Sequence, residues 1–236
     1  MKRRVVFIHD IGQTPACWSP FIGRYGACGY LCQAPAWPPL STAPDDASSR
    51  PATSASCSGA GWRGLNIGHV VDHYANGLDR GSPPPLLVGH GLGGLIVQLL
   101  LDRGLGAAGV ALSPTPRRGC WQLLAPPPPS PIAPSHDARP APVTPRRLLL
   151  ETALGIGTAI DYANDERGPL LLVSAGRSRR VSSARVEACY RRHRRSMATT
   201  TLLAFPQYGD RLIVEPGWEA VADATLDWAQ RVALRL

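Results

Sequence analysis

The chain has 236 residues, 44% of them apolar, and a formal net charge of +8 at pH 7. This length and apolar content predict a globular chain with a core of its own and exclude an intrinsically disordered one. No uncharged apolar run reaches the roughly 18 residues of a transmembrane helix, so we expect no membrane partner. The apolar run VVFI near the start is too short for a signal-peptide core, which predicts a cytoplasmic protein.

Almost all of the positive charge comes from arginine, since Lys2 is the only lysine. The densest cluster is the stretch 191–195, in which four arginines flank His193. Such a cluster could meet an anionic partner, such as nucleic acid or an acidic carrier protein. No nucleic-acid motif and no interleaved aromatic residues accompany the charge. We therefore interpret the cluster as a solvated helix face and expect no nucleic-acid partner.

The six cysteines include no C-x-x-C pair. In a cytoplasmic chain they are expected to be free thiols, several of them buried. No cluster of cysteine and histidine has the spacing of zinc ligands, so we predict neither a metal nor another cofactor.

Strand patterns and helix patterns alternate along the chain. The predicted strands are VVFIHD at 5–10, YLCQAP at 30–35, PLLVGH at 85–90, AGVALSP at 108–114, PLLLVSAG at 169–176 and TTTLLAFP at 199–206. The predicted helices cover about 21–28, 66–78, 95–104, 144–164, 182–197 and 218–234. Because most strands are continuously apolar, the pattern predicts an α/β fold with a mostly parallel sheet covered by helices on both faces.

Two stretches depart from this alternation. Residues 41–61 are rich in Ser, Ala and Pro without periodicity, which is typical of a long loop. Residues 114–143 are rich in proline and precede a helix whose start combines an N-cap threonine with a first-turn proline. We predict a single domain over 1–236, in which about 117–168 forms a small inserted cap over the strand ends, where α/β folds bind ligands.

Five stretches, in their order and strand–helix context, resemble the α/β-hydrolase superfamily over nearly the whole chain. They are VVFIHDIG, GHGLGGLIVQLLLDRG, AGVALSPTPRRG, PLLLVSAGRSRRV and FPQYGDRLIVEPGW. The chain is most similar to compact esterase and lyase-like members with short caps. The resemblance implies the α/β-hydrolase fold. It also implies a sharp strand–turn–helix, the nucleophile elbow G-x-S-x-G, followed along the chain by an acid and a histidine.

The resemblance places other residue types at all three triad positions. Gly91 stands at the centre of the elbow and carries no nucleophilic atom. Arg179 holds the position of the acid, and Asp210 holds that of the histidine. The glycines around the elbow centre remain, so the turn is expected to form. We interpret this pattern as a binding pocket that keeps the family's architecture but has a different chemistry.

The family geometry brings the acid and base positions within hydrogen-bonding reach. We therefore expect Arg179 and Asp210 to form a charge-assisted pair, with Asp210 as a general base or orienting group. The alternative is a plain salt bridge in an inactive site.

The oxyanion hole implied by the resemblance consists of the backbone N–H groups of Ile11 and Leu92. The absent serine side chain is expected to leave room for a larger substrate. Asp10 stands where the family more often has glycine, and its charge could repel an oxyanion.

Further candidates surround this site. His90 is a candidate acid or base, and the alternative is a packed structural histidine. Aromatic and loop residues at the expected ligand end are candidate substrate contacts, with core packing as their alternative. The substrate-binding candidates are His9, Asp10, Gly91, Trp18, Trp37, Trp121 and Tyr208.

Three functions are compatible with these residues. The first is a cofactor-independent enzyme of natural-product biosynthesis, such as antibiotic biosynthesis. It would be a cyclase or another C–C bond-forming enzyme that polarises a carbonyl for conjugate addition, aldol-type or pericyclic steps, without a covalent intermediate. The second is an inactive member that binds a metabolite or a partner protein. The third is a hydrolase with displaced catalytic residues, such as Cys120 or Ser113 with His90. The first two functions imply a small-molecule partner. For the biosynthetic enzyme this substrate could be aromatic or polycyclic.

Overall fold

A computed structural model describes residues 3–38, 64–78, 83–120 and 145–232. Within these residues six strands form one sheet. The strands are β1 (Arg4–Ile8), β2 (Leu31–Gln33), β3 (Leu86–His90), β4 (Ala108–Leu112), β5 (Leu170–Ala175) and β6 (Thr200–Phe205). They lie in the order β2-β1-β3-β4-β5-β6, and every neighbouring pair is parallel.

Helices connect these strands. They are α1 (Ser19–Ala27), α2 (Ile67–Gly77), α3 (Leu92–Asp102), α4 (Arg146–Leu154), α5 (Ser183–His193) and α6 (Trp218–Val232), and a short 3-10 helix at Pro15–Trp18 precedes α1.

The sheet separates two hydrophobic cores. Successive side chains of a strand point to opposite faces, so Val5 and Phe7 of β1 pack with α1 and α6. Val6 and Ile8 point the other way and pack with residues of α2, α3, α4 and α5. Strands buried on both faces account for the continuously apolar runs in the sequence. The predicted parallel α/β sheet, covered on both faces, is confirmed.

One predicted helix is wrong in its extent. Helix α4 ends at Leu154, ten residues before the end expected from its pattern. Gly155 follows with a φ of 82°, and the N–H of Ile156 donates to the carbonyl of Glu151 at 2.8 Å. This left-handed glycine cap satisfies the last carbonyls and turns the chain away from the helix axis.

Parts of the predicted organisation lie outside the described residues. The expected loop at 41–61 lies outside them, and so do residues 121–144 of the predicted cap. The cap itself therefore stays a prediction. The described helix α4 packs Leu148 and Leu149 into the core shared with α2.

Three further observations concern the described residues alone. No helix there is both long enough and apolar enough to cross a bilayer. No group of three His, Cys, Asp or Glu side chains comes together there as a potential metal site. The described cysteines are free thiols, namely Cys17, Cys28, Cys32, Cys120 and Cys189.

Candidate active site

Gly91 forms the sharp turn between the end of β3 and the start of α3. Its φ of 56° and ψ of −118° lie in a region that side chains strongly disfavour. Two backbone hydrogen bonds hold the turn against the end of β4. The N–H of Gly91 donates to the carbonyl of Leu112 at 3.0 Å, and its carbonyl accepts from the N–H of Thr115 at 2.9 Å.

The first turn of α3 lies against the end of β1. A Cβ atom placed on Gly93 would lie 2.1 Å from the carbonyl oxygen of Ile8, far inside van der Waals contact. Ile8 is paired in register with Gly89 of β3. This approach of helix to strand brings the loop after β1, which begins with His9 and Asp10, directly over the turn at Gly91.

The carboxylate of Asp10 fills the space beside Gly91. A Cβ atom on Gly91 would lie 2.2 Å from Cγ of Asp10 and 2.3 Å and 2.5 Å from its two oxygens. Oδ1 of Asp10 also accepts a hydrogen bond from the backbone N–H of Leu92 at 2.7 Å. The expected room for a larger substrate is therefore absent. The N–H of Leu92, expected to face a substrate carbonyl, already has a partner.

Arg180 supplies the counter-charge. Its Nη1 donates to Oδ2 of Asp10 at 3.2 Å, and the side chains of Arg180 and Asp10 are 26% and 5% exposed. A carboxylate this deeply buried needs hydrogen bonds and an opposite charge to offset its desolvation. The N–H of Leu92 and the guanidinium of Arg180 provide both.

Asp210 holds the turn that follows β5. One oxygen accepts from Oγ of Ser178 at 2.5 Å and from the backbone N–H of Arg180 at 3.1 Å, and the other accepts from the backbone N–H of Arg179 at 3.2 Å. The expected guanidinium–carboxylate pair is not formed, because Arg179 reaches Asp210 through its backbone and its side chain is exposed. Successive backbone N–H groups form a concave anion site that a carboxylate fits directly.

We expect Asp210→Asn to lower the free energy of unfolding by about 1–2 kcal/mol, since a neutral amide replaces a charged acceptor of three hydrogen bonds. Urea denaturation measures the change. Arg179→Gln is the matched control, and its exposed side chain predicts a change within about 0.5 kcal/mol. A larger loss for Arg179→Gln than for Asp210→Asn would contradict this role of Asp210.

Three buried polar side chains lie beside Asp10. Within the described part of the chain, Nδ1 of His90, Oγ of Ser113 and Oγ1 of Thr115 have no hydrogen-bond partner. Burial lowers the pKa of His90, which favours the neutral imidazole. Ser113 has a φ of 41°, an unusual conformation for a residue with a side chain.

All of these groups line one small cavity above the turn. The cavity has a volume of about 10 Å³, roughly what a single water molecule needs. The walls of this cavity include Asp10, His90, Ser113, Thr115, Arg180 and Asp210. The site is therefore closed by its own side chains and admits no sizeable substrate in this conformation.

Other predicted contacts have structural roles. Nδ1 of His9 lies 3.0 Å from the backbone oxygen of Asp10, as a donor to it, and the ring of His9 stacks on Trp37 with centroids 5.1 Å apart. Burial lowers the pKa of His9. Trp18 is fully buried against Phe7, so it is unavailable as a pocket wall. The core-packing alternative holds for Trp18.

The hydroxyl of Tyr208 donates to the carbonyl of Gly217 at 2.7 Å and is used within its own loop. Ile11 is buried in the core and does not line the cavity above the turn. Cys120 is also buried, and burial raises the pKa of its thiol. It does not line that cavity either. Trp121 lies outside the described residues.

Two residues that bond the site's carboxylates, Arg180 and Ser178, were not singled out as candidates from the sequence. Arg180 is adjacent to the arginine that was predicted, and Ser178 precedes both. The charge of Asp10 was the sequence signal for Arg180, because an aspartate in a buried loop requires a cationic partner.

Comparisons with known proteins agree with this architecture. A model of the Alpha/beta hydrolase family matches residues 5–235. No curated protein matches the chain.

Several solved structures share the fold. A structure from a study of LipS and LipT, two metagenome-derived lipolytic enzymes, has a TM-score of 0.70 at 14% identity and covers 98% of this chain and 94% of its own. The monoacylglycerol lipase of Paleococcus ferrophilus has a TM-score of 0.68 at 16% identity, with coverages of 95% and 93%. MGS-MChE2, an alpha/beta hydrolase enzyme from a lagoon-sediment metagenome, has a TM-score of 0.64 at 14% identity, with coverages of 98% and 92%. At these identities the likeness shows the fold alone.

Proposed function

The chain belongs to the alpha/beta hydrolase family, and we propose that it is a member that binds a small molecule without hydrolysing it. The observation that carries this proposal is the carboxylate of Asp10, which lies where a side chain at residue 91 would project. We take Gly91 as the family's nucleophile position, as the resemblance implies. On this assignment the nucleophile's place is filled by a carboxylate from a different loop.

Ester hydrolysis of the family type needs a nucleophile, a base to accept its proton and a donor for the oxyanion. Gly91 supplies no nucleophile. The N–H of Leu92 is bonded to Asp10, whose charge would repel a developing oxyanion. Asp210 accepts three hydrogen bonds from the turn that follows β5. The lipolytic activity named for LipS and LipT therefore has no counterpart among these groups.

The same contacts weaken the case for C–C bond formation. That function depends on a free donor to polarise a carbonyl and on space for an aromatic or polycyclic substrate. Here the N–H of Leu92 already donates to the carboxylate of Asp10, and the cavity has room for about one water molecule. Binding without turnover needs no free donor at this turn and can use another part of the molecule, which is why we prefer it.

A second candidate function is a hydrolase that uses Ser113. The supporting observation is that its unpartnered Oγ lines the same cavity as the unpartnered Nδ1 of His90. Backbone strain of the kind seen at Ser113 concentrates at functional sites. In this route Oγ would attack an ester carbonyl while His90 takes its proton. The alcohol would leave with that proton, and water would then release the acid.

A fluorophosphonate probe, which phosphonylates activated serines with loss of fluoride, distinguishes the two functions. We expect no covalent labelling of the wild type by intact-protein mass spectrometry and no turnover of activated esters above that of Ser113→Ala. A serine lipase of the same fold is the positive control. Labelling that maps to Ser113, or ester turnover that Ser113→Ala abolishes, would overturn the proposal in favour of the second candidate.

A further inference from the structure

A larger cleft lies beside the closed site, between α3 and α5. It has a volume of about 260 Å³ and is bounded by these two helices and by the loop that follows β4. A second depression of about 250 Å³ shares four lining residues with it. We call the two together the arginine cleft, after the arginines that line it: Arg117, Arg118, Arg185, Arg192 and Arg195.

The charges of the arginine cleft are not neutralised within the described part of the chain. None of its five guanidinium groups lies in a salt bridge there, and no carboxylate is among the described lining residues. Arg185 donates to the carbonyl of Gly119 at 2.8 Å, and Arg192 lies over the ring of Tyr162 at 5.9 Å. Like charges that line one cleft repel one another, so the cleft concentrates positive potential that an anion would relieve.

Two unpartnered buried polar atoms supply independent support. Nε of Arg117 is buried without a hydrogen-bond partner among the described residues. So is Oγ1 of Thr115, on a residue only 2% exposed. Thr115 lines both the cleft and the small cavity above Gly91, so it marks the inner end of the cleft. A buried donor without a partner is destabilising unless a ligand or water satisfies it.

Apart from Gln98, the remaining wall is mostly apolar. Leu95 of α3, Pro116 of the loop and Ala188 of α5 line the larger part of the cleft together with the ring of Tyr162. The volume is close to the lower end of the range for small-molecule sites. A ligand that matches this lining has a compact apolar body and a strongly anionic head group.

We propose that the arginine cleft binds a phosphate monoester with a small apolar or aromatic body. Guanidinium groups pair with phosphate through parallel hydrogen bonds, and a dianion suits several arginines better than a carboxylate does. This inference deepens the function proposed above, since it names the class of small molecule. The cleft residues are distinct from Asp10 and Gly91, so the labelling experiment and the binding experiment can fail independently.

The interpretation of 191–195 as a solvated helix face changes accordingly. Arg192 and Arg195 line the cleft, whereas Arg191 and Arg194 do not. These two exposed arginines offer a matched control with the same loss of charge, from the segment that contributes Arg192 to the cleft.

Isothermal titration with 1-naphthyl phosphate tests the proposal on the full chain. We expect saturable one-site binding to the wild type, and at least about tenfold weaker binding to Arg117→Gln/Arg192→Gln. The control Arg191→Gln/Arg194→Gln should bind within about twofold of the wild type, since exposed charges outside the cleft are screened by salt. Equal urea midpoints would show that the variants fold alike.

Three related probes define the ligand class. We expect 1-naphthoate and inorganic phosphate to bind more weakly than 1-naphthyl phosphate, and 1-naphthol not to bind. Equal weakening in the cleft and control variants would overturn the proposal, because it would indicate unspecific surface attraction. Inorganic phosphate that binds as tightly as the ester would overturn the apolar subsite. Release of naphthol during the titration would instead contradict binding without hydrolysis, while leaving the cleft in place.

Discussion

Gly91→Ala is expected to lower the free energy of unfolding by about 3 kcal/mol or more. One part of the loss is the backbone, because the φ and ψ of Gly91 are strained for any residue with a Cβ atom, at about 1–3 kcal/mol. The other part is steric, since that Cβ atom would lie 2.2 Å from Cγ of Asp10. Overpacking of a closed site adds about 1–3 kcal/mol. Urea denaturation of the wild type and variant measures the sum.

Asp10→Gly separates the steric part from the backbone part. Alone it should lower stability by about 2–3 kcal/mol, because it leaves the buried N–H of Leu92 unpaired and removes the partner of Arg180. In the double variant Asp10→Gly/Gly91→Ala the clash is gone. The free energy of unfolding that it loses should therefore be about 1–3 kcal/mol less than the sum of the losses in the two single variants.

The control for backbone strain alone is Gly104→Ala. Gly104 has a φ of 72°, and a Cβ atom there would meet no atom of the described residues within 4 Å. Gly104→Ala should lower the free energy of unfolding by about 1 kcal/mol, and this loss should be additive with that of Asp10→Gly. Strict additivity of Gly91→Ala with Asp10→Gly would mean that the carboxylate does not occupy the space beside Gly91.

Lowering the pH from 6.5 to 5 is expected to remove about 2 kcal/mol of stability through His193 alone. Nε2 of this buried histidine lies 2.9 Å from Oε1 of Gln98, as a donor to it, and its Nδ1 has no partner among the described residues. Burial, with a smaller effect of the Arg167 charge, lowers its pKa from 6.5 to about 3. Below pH 6.5 the unfolded chain therefore binds a proton that the folded chain does not.

The stability linked to His193 is fully present above pH 6.5 and falls by about 1.4 kcal/mol per pH unit until about pH 3. His9 and His90 have pKa values lowered by burial, so they add losses of the same sign.

The difference between the wild type and His193→Gln isolates the contribution of His193. The variant should be less stable at pH 7 but lose about 2 kcal/mol less than the wild type between pH 6.5 and 5. Above pH 7 the two curves of unfolding free energy against pH should run parallel, because neither state then binds the proton. Equal slopes between pH 6.5 and 5 would show that His193 titrates alike in the folded and unfolded chains.

The fold follows from local patterns that the sequence displays directly. Apolar runs of four to six residues, separated by helical periodicity, require a sheet covered on both faces. The end of α4 was missed because its apolar spacing continues past Gly155, where the left-handed conformation of that glycine stops the helix. Helix boundaries depend on such single positions, whereas the layering depends on the whole pattern.

The candidate site was predictable in its location but not in its contacts. The glycine turn and the loop after β1 were expected to meet, and they do. The direction of the Asp10 side chain depends on a loop conformation that no periodicity encodes. Its partner lies 170 residues away, and a shift of one residue decides whether Arg179 or Arg180 reaches it. Pairwise geometry of this kind is set by the assembled fold.

The arginine cleft did leave a signal in the sequence. Arg185 and Arg192 are seven residues apart, which places them on the same face of a helix. The contribution of Arg117 from the loop after β4 could not be inferred from that spacing. Only the parallel order of β4 and β5 brings that loop to α5.

The amide proton of Leu92 reports on whether Asp10 closes the turn at Gly91 by accepting this hydrogen bond. Proton–nitrogen correlation spectra would be recorded for the wild type, Asp10→Ala and, as a control, Asp210→Asn. We expect a downfield Leu92 amide protected from exchange in the wild type and in Asp210→Asn, and an upfield shift with loss of protection in Asp10→Ala. A Leu92 amide that is unchanged by Asp10→Ala would contradict the account, since the N–H would then be free to bind a substrate carbonyl.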